Sequence, residues 1–402
     1  GALDKRGVMY CGNATGVLEF DGETWSTIRL NNRSTVRSLA VGANGEIFVG
    51  GYGEMGVLAP NKNGTMVYHS LMDRVDSSYL DFKEIWDINS FGDTIFFLSD
   101  NFIFKYSKGK FSYFKSHSRG FYLSFSVDNS YYVQELGVGL MKYTNGVFEL
   151  VDGGRFFSDI FIHSIFPDKK GLLIATRKKG FFMLDTLSVP YRIQSIDAIS
   201  SKAKKINEYF TTHSFYHGIA ITNDIYAFSS ISGDLLIVDR NWNVRDIIDS
   251  RTIGVKSPTL YLFSSDMHNL WLALDNGIAL VEAMSPYRYW NETMGINGVL
   301  SDVAQVDNNM YVSTGSGIFY TKLNSKALEL NAFTMVEGDF EQVWGFMYFQ
   351  PPGSQKMIRT STDEVNFIPD NSTILLAATR TGVYQISGGG SKKIAQYDGV
   401  NS

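Results

Sequence analysis

Cysteine is almost missing from this chain: Cys11 stands alone among 402 residues. No intrachain disulfide can form, and no cluster of thiolates can hold a metal. Long apolar runs are also lacking, and none approaches the roughly 20 residues that cross a bilayer as a helix. Neither sign of charge gathers into a long run, because 36 basic and 41 acidic residues are interspersed to a net charge of −5. The best basic clusters, Arg177-Lys178-Lys179 and Lys202-Ala203-Lys204-Lys205, are short and read as solvated loop tips. Nucleic acid, which needs a clustered basic stripe, is therefore not an expected partner. No amphipathic helix of convincing length stands out.

What the chain has is aromatic residues, glycine and repetition. Phe and Tyr number 29 and 22, residue types that suit a half-buried pleated surface. A short strand, a tight turn and a second short strand recur along the whole length. Leu172 to Thr176 turns through Gly180 into Phe181 to Asp185, and comparable turns lie at Gly16, Gly56, Gly139, Gly233, Gly277, Gly317 and Gly382. A degenerate copy, Ile95 to Leu98 and Phe102 to Phe104, has Asp100-Asn101 at the turn. The nine copies recur at a mean of about 46 residues, the period of four-stranded propeller blades and longer than that of ankyrin or tetratricopeptide repeats.

The expected fold is all-β: one β-propeller domain over 1–402 built from about nine four-stranded repeats. They lie near 4–30, 36–71, 82–116, 121–153, 159–194, 213–248, 258–290, 300–338 and 341–397. A single ring of eight or nine blades is the expected arrangement, and seven blades plus a partial set is the alternative. Two long intervals hold segments that read as loop insertions, Ile196 to His213 and Gln350 to Ser372. Leu3-Asp4-Lys5-Arg6-Gly7 matches the hairpin turn Asp168-Lys169-Lys170-Gly171, so the first blade opens with most of its inner strand missing. The expectation is a piece of a longer protein, with room upstream for a secretion signal.

The runs Leu270-Trp271-Leu272-Ala273-Leu274-Asp275-Asn276-Gly277, Ala175-Thr176-Arg177-Lys178-Lys179-Gly180 and Ala378-Thr379-Arg380-Thr381-Gly382-Val383 resemble the two-component regulator propeller repeat. Gly16 to Trp25 with Gly50 to Gly56 is similar to the opening of sensor-regulators of Bacteroidetes. The resemblance covers nearly the whole chain and implies the periplasmic sensor of a membrane-anchored regulator that responds to a carbohydrate or nutrient. In that family a small β-sandwich, a membrane span and a histidine kinase or helix-turn-helix output follow the propeller. Implied partners are an oligosaccharide or other small ligand, and a homodimer or the downstream β-sandwich. Two departures stand out. The third unit lacks both the Gly and the Thr of the pattern, which predicts an irregular blade, and nine units differ from the paired seven-bladed rings of many hybrid regulators.

No catalytic constellation emerges, and neither a cofactor nor an enzymatic activity is expected. His213 and His217 have a metal-ligand spacing, but Ser214-Phe215-Tyr216 between them reads as strand. Asp21-Gly22-Glu23-Thr24-Trp25 is one imperfect copy of a sialidase box and reads as a turn. The competing classes are a propeller glycosidase or lyase and a protein-interaction scaffold. Propeller geometry brings the loops entering each inner strand, and those joining the two middle strands, to one face. The candidate ligand-binding residues on that face are Tyr52, Glu54, Trp86, Arg177, Lys178, Trp344 and Arg380. Packing between blades is the rival role for the two tryptophans, and a solvent-exposed turn is the rival role for the two arginines.

Overall fold

The computed structural model describes residues 1–249, 257–264, 269–285, 290, 292–323, 332–350 and 373–396, with the backbone alone of 355–359 and 365–369. Among the described residues nine antiparallel blade sheets follow one another along the chain, beside one two-stranded hairpin. Eight have four strands, and the seventh has three among the described residues. The protein is an all-β propeller chain of nine blade modules.

The fifth module shows how the sequence sets each blade. Its strands are Ile162–Asp168, Gly171–Thr176, Gly180–Asp185 and Arg192–Ser195. Leu172 to Thr176 are all buried because both faces of this second strand meet neighbouring sheets, whereas the last strand is only partly covered. Thr176 explains the Thr and Gly of the repeat. Its buried hydroxyl donates to the Gly180 carbonyl (2.6 Å) and accepts from the Lys179 N–H (3.1 Å), so it spans the turn between the middle strands. Thr379 does the same with Gly382 (2.8 Å) and the Thr381 N–H (3.2 Å). At Gly382, φ is +145° and a Cβ would run into the Ala395 carbonyl of the adjoining strand, so only glycine fits.

The third module, expected to be irregular, is a regular four-stranded sheet. Ser99 stands in for the missing threonine. Its buried hydroxyl donates to the Phe102 carbonyl and accepts from the Phe102 N–H, both at 3.0 Å.

Two compact units divide the chain. The first, Gly1–Asp249 with Lys256–Ser285, holds modules one to seven. Its core lies between successive sheets: Phe48, Ile85, Phe97 and Phe104 join the second and third, and Phe96, Tyr131 and Val133 join the third and fourth. Phe263 of the seventh module packs on Met9 and Cys11 of the first, so this ring closes after seven modules. The inner strand of the first module is only Ala2–Leu3, as its turn predicts. Inner strands converge on an axial cavity of about 640 Å³, lined by Ala2, Leu39, Ile88, Tyr261 and Phe263 among others. The second unit, Ser250–Val255 with Pro286–Ser402, holds modules eight and nine. Tyr311 and Ile318 of one pack on Val343, Leu375 and Tyr384 of the other.

The insertion at 196–213 corrects the expected loop. A 3-10 turn, Ile196–Ala198, leads into helix α1, Ser201–His213. The Ser200 hydroxyl caps it by accepting from the Ala203 N–H (3.1 Å). Only Ala203, Ile206 and Phe210 make the buried apolar stripe, too few to show through the Lys- and Ser-rich composition. Asn207 completes that face, accepting from the Phe181 N–H (2.7 Å) where Gly180 leaves no Cβ in the way. The other insertion includes a paired hairpin, Gln355–Arg359 with Val365–Pro369, and the rest of 350–372 is largely outside the described residues.

Candidate functional site

The inner strands share a defect in pairing. A β-bulge lies one or two residues after the first paired residue in modules two, four, five, six and seven of the first unit. It leaves unpaired Arg37, Tyr122 with Leu123, His163, Tyr216 and Leu260. Such a bulge frees a side chain from the alternation of the strand and re-aims it. The next residue stitches neighbouring inner strands together. The Ser38 hydroxyl donates to the Ile85 carbonyl (2.8 Å), the Asp87 carboxylate accepts from the Ser124 N–H (3.1 Å) and hydroxyl (2.9 Å), and the Ser164 hydroxyl accepts from the Gly218 N–H (2.9 Å). These contacts hold the bulged residues in fixed positions at the entrance to the ring.

One group of bulged residues forms a hydrogen-bonded chain. His163 is buried; its Nδ1–H donates to the Tyr216 carbonyl (2.5 Å), and its Nε2 accepts from the Tyr122 hydroxyl (2.8 Å). The ring is thus a neutral imidazole in one tautomer. Burial lowers its pKa to about 4, and the nearby Arg177 charge acts in the same direction. His217 Nδ1 accepts from the Leu262 N–H (3.2 Å), and burial lowers its pKa to about 3. Its ring lies 4.3 Å from that of Tyr261, which is partly exposed. Aromatic and imidazole rings of four successive modules therefore line one side of the entrance.

The second group lies in modules two and three. The Arg37 guanidinium pairs with Glu84 (3.2 Å) and sits over the Trp86 ring, 5.5 Å from its centroid. Tyr52, more than half exposed, forms a β-bridge with Glu84. The structure thus places Tyr52 and Trp86 on either side of the Arg37–Glu84 pair. Glu54 takes a different position: it is buried, and its carboxylate accepts from the Ser70 hydroxyl.

Arg177 and Lys178 occupy the turn locked by Thr176. With Lys179, Asp159, Ile160 and Phe161 they line a second cavity of about 310 Å³. The Arg177 N–H donates to the Phe161 carbonyl (3.0 Å), which ties this turn to the loop entering the inner strand. Trp344 and Arg380 belong to the second unit. Trp344 is the unpaired residue of the ninth module's own bulge, and the Arg380 guanidinium faces Glu341 (3.5 Å).

Sequence reasoning missed Arg37, Tyr122, His163, Tyr216, His217 and Tyr261. The detectable signal was positional, since each lies near the start of an inner strand. His213 and His217 do not converge: His213 ends helix α1, with its Nδ1 bonded to the Tyr209 carbonyl (2.9 Å), while His217 lies on the following strand. Among the described residues no group of three or more His, Cys, Asp or Glu side chains is placed to hold a metal.

No protein-family model matches the chain, and no curated protein does. Among solved structures it is similar to the extracellular domain of BT4673 from B. thetaiotaomicron, assigned by name to a hybrid two component system. The identity is 18%, over 98% of this chain and 59% of that one, with a TM-score of 0.50. A second structure of the BT4673 extracellular domain, assigned by name to a one component system, gives 18% identity over 97% and 51%, with a TM-score of 0.47. The chain thus spans between about half and three-fifths of these chains. The WD40 beta propeller domain of Doa1 is 9% identical over 69% of this chain and 89% of its own, with a TM-score of 0.50. The likeness to extracellular regulator domains that the repeats lead one to expect is met as a likeness of fold, and that fold is the β-propeller.

Proposed function

We propose that this chain is the extracytoplasmic ligand-recognition propeller of a bacterial two-component or one-component transcriptional regulator, and that its signal is a carbohydrate or related nutrient. The carrying observation is the ring entrance. Bulged residues of successive modules supply aromatic faces, fixed hydrogen-bonding groups and an Arg–Glu pair, the mixture a saccharide site requires. The groups are held in place before any ligand arrives, through the stitched inner strands and the turn locked by Thr176, which reduces the ordering cost of binding. In this reading the domain binds and does not turn over its ligand. Binding shifts how the propeller docks on a second copy or on the β-sandwich expected downstream, by the difference in ligand affinity between the two docked states.

Thermal shift of the chain against a panel of oligosaccharides, run beside turnover assays on the parent polysaccharides, tests the proposal. Saturable stabilisation without turnover is the expected result, and it should be lost in a Trp86→Ala, Arg37→Ala double variant. Turnover without saturable stabilisation would reject the sensor reading in favour of an enzyme.

A further inference from the structure

We propose that the cavity of the fifth module binds the carboxylate of an acidic sugar unit, with the apolar face of that sugar lying on Phe161. The proposal rests on the recognition role above and specifies its ligand. Three consecutive cations, Arg177, Lys178 and Lys179, line the cavity, and none forms an ion pair among the described residues. Arg177 Nε is buried without a hydrogen-bond partner, an unusual state for a charged donor. The one acid in the lining, Asp159, is already engaged. It pairs with Arg119 and accepts from the Ser158 hydroxyl (2.9 Å), and the Arg119 bond holds its carboxyl below the usual range. The cavity therefore carries net positive charge and lacks an anion to balance it.

Geometry narrows the ligand further. Thr176 fixes the turn from within, and the Arg177 N–H tethers it to the Phe161 carbonyl, so the cations are presented on a rigid support. Phe161 is 40% exposed, and its ring rests against that of Tyr122 at 4.7 Å. A flat, supported aromatic face beside a guanidinium fits a pyranose C–H face next to its own carboxylate. A planar carboxylate also matches the guanidinium fork. A neutral sugar would leave the charge uncompensated, and a bare phosphate would gain nothing from Phe161.

Three probes separate these alternatives: D-glucuronate, D-glucose, which differs from it only in a hydroxymethyl group in place of the carboxylate, and inorganic phosphate. Calorimetry and saturation-transfer NMR on the whole chain should show glucuronate binding at least about tenfold more tightly than either of the others. Arg177→Gln should weaken glucuronate by about tenfold or more, and the exposed Lys178→Ala, Lys179→Ala double variant should weaken it severalfold with the fold intact. Raising salt from about 50 to about 300 mM should weaken it further. Equal binding of glucose, equal binding of phosphate, or an unaltered Arg177→Gln affinity would each overturn the proposal. Glucuronate that binds normally to Arg177→Gln but not to the Arg37, Trp86 variant would overturn this site while leaving the recognition role standing. Failure of every saccharide, acidic or neutral, would overturn both.

Discussion

Acidification should destabilise the first unit through His163. In the folded protein this imidazole is buried, donates from Nδ1 to the Tyr216 carbonyl and accepts at Nε2 from Tyr122, and its pKa lies at about 4. In the unfolded chain it returns to about 6.5. Between those values the unfolded state binds a proton that the folded state refuses. Stability from this residue is therefore complete above about pH 6.5 and is lost as pH falls towards 4. The separation of about 2.5 units corresponds to about 3 kcal/mol at most. Urea midpoints should be measured from about pH 7.5 to about pH 4.5 on the native chain and on His163→Gln, which cannot titrate. Carboxylates and His217 are common to both, so the difference between the two curves isolates His163. The native curve should fall more steeply below about pH 6.5, by an amount approaching 3 kcal/mol. An NMR titration should find the His163 ring neutral at pH values where a free imidazole is half protonated. Parallel curves, or a ring that titrates near 6.5, would refute the claim that the entrance holds His163 neutral.

Thr176→Val keeps the shape but removes the hydroxyl that spans the turn, and should cost about 1–3 kcal/mol by denaturant unfolding. It should also raise hydrogen exchange at the Lys179 amide, while the same change at an exposed threonine such as Thr27 should cost little. Phe181→Ala should cost about 3–5 kcal/mol, because this fully buried ring touches Phe210, Phe215 and Phe228 at centroid distances of 5.0 to 5.5 Å. Trp86→Ala should change stability by less than about 1 kcal/mol, since its ring is 44% exposed and its main partner is Arg37. A loss comparable with that of Phe181→Ala would make Trp86 a packing residue.

The repeat was legible because its chemistry is local. Thr176 and Gly180 satisfy one another within five residues, as do Thr379 and Gly382, so both the module count and the positions of Arg177 and Arg380 can be read along the chain. Ser99 escaped that reading because a serine hydroxyl forms the same bonds without the expected residue type. Helix α1 escaped it because three buried side chains suffice when the two neighbouring blades already offer Phe181 and Phe215. The entrance was the hardest part to read. Tyr122, His163 and Tyr216 meet only through pairing register and through contacts between strands 41 and 53 residues apart, and alternation of apolar residues does not reveal where a bulge falls. Glu54 shows the reverse error: a polar residue beside a turn looked available, and the fold uses it to satisfy Ser70.

The recurrent bulge separates two tasks that most strands must combine. Since the residue it ejects takes no part in the ladder, that position accepts arginine in one module, histidine in another, tyrosine, leucine or tryptophan in others. Selection can thus rewrite what such a scaffold recognises, one module at a time, without renegotiating how it folds. A combinatorial library confined to these few positions would sample new specificities while leaving the architecture intact.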